Sequence, residues 1–214
     1  MEDIVAYTQY FGTFAEGLAL LASIVFYPKY GQTALKYLPY ILGYMFVLEL
    51  FAMDIWRAIG YNAIFYNVFN SAFFLFFFYV FFHFLTRKTN KKLVLVITAL
   101  FLGTLLYDLY MLNFIVVPLL HSYIAGGCFI IICVVLYFLE LLNSPRVLNI
   151  RQDLMFWFGA GLLLFYVGYI PIKITRLAFS TTDNTFLFLR IVHQILIVIL
   201  YGCFTAGLLW KKRN

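Results

Sequence analysis

The chain has 214 residues, of which 65% are apolar and 11% charged. A soluble domain carries roughly a quarter charged residues, so this chain cannot cover a water-facing surface with polar groups. Its formal net charge of +6 does not indicate nucleic acid, because the cations sit in short clusters at the ends of apolar runs.

The opening "MEDIVAYTQYF" is acidic and lacks the basic start of a cleaved signal peptide. It reads as the beginning of a retained membrane helix over 7–28, with Glu16 near its middle. After "PKYGQTALK" a second run covers 37–57, with Pro39 at its start, where proline is cheapest. Glu49 and Asp54 lie in its far half and Arg57 at its end. The third run, 62–85, contains "SAFFLFFFYVFFHFL". Its length and continuity favour a helix over the short alternating segments of a membrane barrel. Asn67 and Asn70 share a face there, three residues apart. That face takes the bundle interior, so Phe73, Phe74, Phe77 and Phe81 are expected to face outward into lipid.

"TRKTNKK" (86–92) leads into a fourth run, 93–113, with Asp108 near its far end. A tight corner at "LNFIVVP" precedes the fifth, 116–142, which begins with His121 and Ser122 and ends near Glu140. "NSPRVLNIRQD" leads to the sixth run, 154–175, closed by Lys173 and Arg176. "FSTTDNT" leads to the seventh, 187–210, where Arg190 and His193 share a face. Cys128, Cys133 and Cys203 all fall inside apolar runs and read as small packing residues. The glycines of "FAEGLAL" and "IAGGCF" read as sites of close helix packing.

Seven spans put the termini on opposite sides. Eleven of the 15 Lys and Arg then fall on one side: Lys29, Lys36, Arg87, Lys88, Lys91, Lys92, Arg146, Arg151, Lys211, Lys212 and Arg213. Arg57, Lys173, Arg176 and Arg190 fall on the other. The cation-rich side is cytoplasmic, so the N-terminus lies outside and the C-terminus inside. The expected architecture is an all-α, polytopic membrane protein with one domain of seven transmembrane helices over 1–214.

Ionisable groups within a bilayer are costly and face the bundle interior. At 1.5 Å per residue, nearly all of them converge on the outer half, while the inner half holds only His83 and Glu140. The candidate set is Glu16, Glu49, Asp54, Asn67, Asn70, His121, Lys173, Arg190 and His193. Three readings stay open for it: an ion-pair network pinning the helices, cations snorkelling to the headgroups, or a water-accessible cavity for a small polar or anionic ligand. In the first or third reading, Lys173 has a carboxylate from helix 1 or 2, or a bound anion, within hydrogen-bonding range.

Known chemistries fit poorly. A retinal protein needs a lysine in the middle of the last helix, and this one has none before Lys211. A zinc hydrolase could draw on His121, His193 and Glu49 or Asp54, but no ligand spacing such as H-x-x-x-H occurs. Small sugar carriers share the helix count, and Asn62…Tyr79 matches the spacing of Asn184…Tyr201. The chain has no Pro-Gln pair, however, and no evident broken helix. A channel would need a polar stripe through both halves.

Several strings carry a resemblance: "LKYLPYIL" (35–42), "YNVFN" (66–70) and "CVVLYFLELLNSPRVLNIRQDLMFWFGAGLLLFYVGYIPIKITR" (133–176). Together they are similar to small seven-helix bacterial membrane proteins without an assigned activity, which resemble the membrane sensor halves of histidine kinases lacking the kinase. The resemblance implies a multi-pass protein of the bacterial inner membrane and leans towards sensing. It assigns no residue a role.

The expected function is that of a receptor-like or accessory sensory protein, without enzymatic activity, binding a small polar or anionic ligand in the outer half. A small-solute transporter and a structural subunit without ligand are the alternatives. Neither metal nor cofactor is expected. The partners that fit are the lipid bilayer, a cytoplasmic or membrane signalling protein and a second copy of the chain.

Overall fold

A computed structural model describes residues 2–175 and 184–211. All regular structure among them is helical. Seven α-helices follow in order: α1 (Glu2–Val25), α2 (Leu38–Ile59), α3 (Ala63–Phe84), α4 (Lys88–Met111), α5 (Leu120–Leu142), α6 (Leu154–Thr175) and α7 (Asn184–Trp210). Each coincides with one of the apolar runs. Among the described residues, six stretches are long and apolar enough to cross a membrane: Ala34–Ala52, α3, α4, α5, α6 and α7. The apolar part of α1, Tyr10–Val25, is shorter. The chain is thus an all-helical, multi-pass type with six to seven spanning segments.

Local chemistry sets several ends. Thr33 accepts from Leu35 N at 3.2 Å and starts a short 3₁₀ turn that runs into α2. Pro39 occupies the first turn of α2, where its missing N–H has no intrahelical acceptor in any case. Gly60 ends α2 at φ 76°, in the left-handed region open to glycine.

The chain divides into two compact units, residues 1–29 with 149–214, and residues 30–148. In the first, α7 packs against both α1 and α6. Glycines permit this closeness: a Cβ on Gly161 of α6 would stand 3.1 Å from the Leu200 carbonyl oxygen of α7. Lys29 donates to the Leu208 and Leu209 carbonyls at 3.5 and 3.4 Å, supplying a cation to the C-terminal turn of α7.

In the second unit α3, α4 and α5 pack on one another and α2 lies against α3. This corrects the expected outward phenylalanine face. Phe73, Phe74, Phe77 and Phe81 are all buried, at 4% exposure or less. The reason is geometric. With neighbours on three sides, α3 has little lipid-facing surface, and its outward residues are Val68, Ala72, Tyr79 and His83. Asn67 is buried as expected, but it shares the interior with the phenylalanines instead of opposing them.

The three cysteines are free. Of the two glycines in "IAGGCF", Gly126 is a packing site, since a Cβ there would stand 2.6 Å from the Phe74 ring.

Candidate functional site

The nine candidate residues fall into two sets, one in each unit. Glu16, Lys173, Arg190 and His193 belong to the first. Glu16 of α1 is buried and Lys173 half-buried on the last turn of α6. Arg190 and His193 are half-buried on α7, and the His193 ring stacks on Tyr169 of α6 at 4.0 Å. Arg176 lies outside the described residues.

Glu49, Asp54, Asn67, Asn70 and His121 belong to the second unit. Asp54 does not join the interior set. Its side chain is 69% exposed and pairs at 3.5 Å with Arg57, one turn along α2. Three-residue spacing on one helix allows that local pair without any tertiary contact. Glu49 is half-buried and accepts from the Tyr66 hydroxyl of α3 at 3.2 Å.

Asn67 is the organising residue of the α4–α5 corner. Its amide nitrogen donates to the carbonyls of Phe114 and Val117, at 2.7 and 2.9 Å, and its oxygen accepts from Leu119 N at 3.0 Å. The corner is apolar in sequence and irregular in backbone, so the peptide groups that Asn113 and Ile64 do not reach need partners from elsewhere. One buried asparagine, with two donors and an acceptor, supplies three of them.

Asp108, near the end of α4, is fully buried. It accepts from Ser122 N and Ser122 Oγ, at 2.8 and 2.7 Å, and from His121 Nδ1 at 2.8 Å. Leu119 at the N-cap of α5 has no capping side chain. The carboxylate of α4 therefore caps α5 in its place and meets the positive end of that helix.

The other end of the same helix pair repeats the device in reverse. Glu140 of α5 is 5% exposed. It accepts from Thr86 N at 2.7 Å, Thr86 Oγ1 at 2.6 Å, Arg87 N at 3.1 Å and Asn90 Nδ2 at 2.7 Å. Arg87, at the N-cap of α4, makes no capping bond through its side chain. Each of the two antiparallel helices thus lends a carboxylate to the N-terminus of the other.

Between α3, α4 and α5, on the side of the α4–α5 corner, lies an open cleft lined by Asn67, Asn70, Ser71, Ser122 and Tyr123 among others. Its enclosed part has room for a water-sized molecule. Asn67 and Asn70 meet there as expected from their shared face. Among the described residues, no protein group hydrogen-bonds the Asn70 amide. Ser71 Oγ donates to the Asn67 carbonyl at 2.8 Å and keeps its lone pairs available. Phe74 and Phe101 form the apolar part of the lining, with ring centroids 5.4 Å apart.

Ser71, Tyr123 and the capping roles of Asp108 and Glu140 escaped the sequence reading. Ser71 lies four residues from Asn67, a spacing that could have found it. Among the described residues, no group of three or more His, Cys, Asp or Glu is placed to hold a metal ion. Comparison of the chain with protein-family models, curated proteins and solved structures finds no match in any of the three.

Proposed function

We propose that the protein is a receptor-like membrane protein whose cleft between α3, α4 and α5 takes a small polar ligand. The observation that carries this reading is the Asn70 amide, at membrane depth, facing a cleft without a protein partner. An amide left so in hydrocarbon costs several kcal/mol, and a water or ligand in the cleft removes that cost. The enclosed space holds about one water molecule, far below the roughly 300–1,000 Å³ of ordinary ligand pockets, so a ligand larger than water lies in the open mouth of the cleft or parts its walls. It is uncharged instead of anionic, because the buried Asp108 carboxylate stands directly behind Ser122 in the wall.

Signalling follows from the same connections. A ligand bonded to Asn70 and Ser122 bridges α3 to the first turn of α5. The far end of α5 carries Glu140, which holds the α3–α4 turn. A shift of α5 against α3 therefore moves a clamp on the opposite membrane face, where a partner protein reads it. The α3–α4 turn faces the cytoplasm of a bacterial cell in this reading, as the distribution of Lys and Arg supports. Transport is the weaker reading. Beyond the cleft the α3–α4–α5 core is filled by Phe77, Phe78, Phe81 and Tyr137, each at 1% exposure or less.

Cysteine accessibility tests this. With Cys128, Cys133 and Cys203 replaced by alanine, Asn70→Cys and Ser71→Cys are labelled with a small, water-soluble thiol reagent from either side of sealed vesicles. Labelling from the corner side alone is expected. Labelling from both sides indicates a transporter, and labelling from neither a structural bundle.

A further inference from the structure

We infer that the α3–α4 turn is a docking surface for the phosphate groups of anionic phospholipids. Arg87, Lys88, Lys91 and Lys92 place four cations within six residues. On α4, Lys88, Lys91 and Lys92 share one face. Lys88 and Lys91 lie in the first turn of the helix and Lys92 directly after it, where cations oppose the macrodipole and acids are favoured. Among the described residues none of the four pairs with a carboxylate. The acid at this turn, Glu140, is buried and occupied by four hydrogen-bond donors, none of them a cationic group. The turn therefore carries an excess of positive charge held in a fixed backbone.

Depth decides what meets it. The outward apolar surface of α4 begins directly after Lys92, with Leu93, Leu95 and Val96 exposed at 40%, 55% and 53%. At 1.5 Å per residue, the cations stand within about one turn of the hydrocarbon boundary, at headgroup level. Lys91 Nζ also lies 5.4 Å from the centre of the Phe82 ring on α3, an aromatic body at the same level. A cluster of four or more Lys and Arg beside a membrane helix attracts anionic headgroups. A soluble acidic protein would have to reach the same groups through the headgroup layer.

The test compares the protein in phosphatidylcholine nanodiscs with and without phosphatidylglycerol, reading retained lipid by native mass spectrometry. Preferential retention of phosphatidylglycerol is expected, decreasing as salt is raised, because exposed charges are screened. Each cation near an anionic surface is worth about fivefold in binding, so K88Q/K92Q lowers retention by about 25-fold. Hydrogen exchange over residues 85–92 reports whether the turn stays intact in the variant. If it does not, the salt titration of the wild type decides alone. Equal retention of the two lipids, or retention insensitive to salt, overturns the inference. So does displacement of phosphatidylglycerol by inorganic phosphate at matched concentration, which identifies a site for free anions and not for a lipid surface.

Discussion

Asp108→Ala isolates the contribution of the α5 cap. It removes the acceptor of Ser122 N, a buried amide in the first turn of α5. Leaving such a donor unsatisfied costs about 1–3 kcal/mol. Loss of the negative charge at the helix N-terminus adds about 0.3–1 kcal/mol. The other two bonds matter less. Ser122 Oγ keeps the Thr104 carbonyl at 3.1 Å, and His121, whose side chain is 63% exposed, passes its Nδ1 to water. The expected total is about 3 kcal/mol. At about 2–4 °C per kcal/mol for a chain of this length, unfolding in detergent moves down by about 10 °C. Asp108→Asn keeps one acceptor for Ser122 N and costs about 1 kcal/mol, while His121→Ala costs almost nothing. Thermal unfolding of the three variants, followed by circular dichroism, supplies the ranking. A His121→Ala loss equal to that of Asp108→Ala would mean that the imidazole, and not the helix cap, gives the carboxylate its role.

Glu140→Gln keeps one acceptor oxygen and sets an NH₂ against two of the four donors, costing about 1.5–3 kcal/mol. Faster hydrogen exchange at residues 85–92, with α1 and α6 unaffected, is the expected signature; uniform acceleration across the chain would contradict a local clamp. Gly161→Leu drives a side chain into the Leu200 carbonyl, and overpacking of about 1–3 kcal/mol should lower the unfolding temperature, whereas Gly103→Leu, at a position with open space around it, should not. For topology, a periplasm-active reporter fused after Asn214 should be silent and a cytoplasm-active one functional; the opposite pair of results reverses the assigned direction of all the spans.

The helices were legible because each apolar run is long and its ends carry punctuation: Pro39 at the start of α2, Arg57 near its end, "TRKTNKK" before α4. The interior position of Asn67 was legible for the same reason, since a buried amide in hydrocarbon needs a partner. What could not be read is which helices are neighbours. Depth along a helix follows from counting residues, but the direction a side chain faces depends on packing. Phe73 and Asn67 are both buried because α3 is enclosed by α2, α4 and α5. Acids and cations of similar depth were gathered into one set, although Glu16 and His193 belong to one compact unit and Asn67 and His121 to the other. Asp54 illustrates the simplest miss: its partner was three residues away on its own helix.

The two crossed caps of α4 and α5 also impose an order of assembly. Asp108 finds its partners 13 and 14 positions further along the chain, as soon as the corner has turned and α5 has begun. Thr86 waits for an acceptor 54 positions away. During synthesis from the N-terminus, the start of α4 has no acid over it until α5 is almost complete. The hairpin closes from its corner towards its open end, and the basic turn takes its final form only when Glu140 arrives.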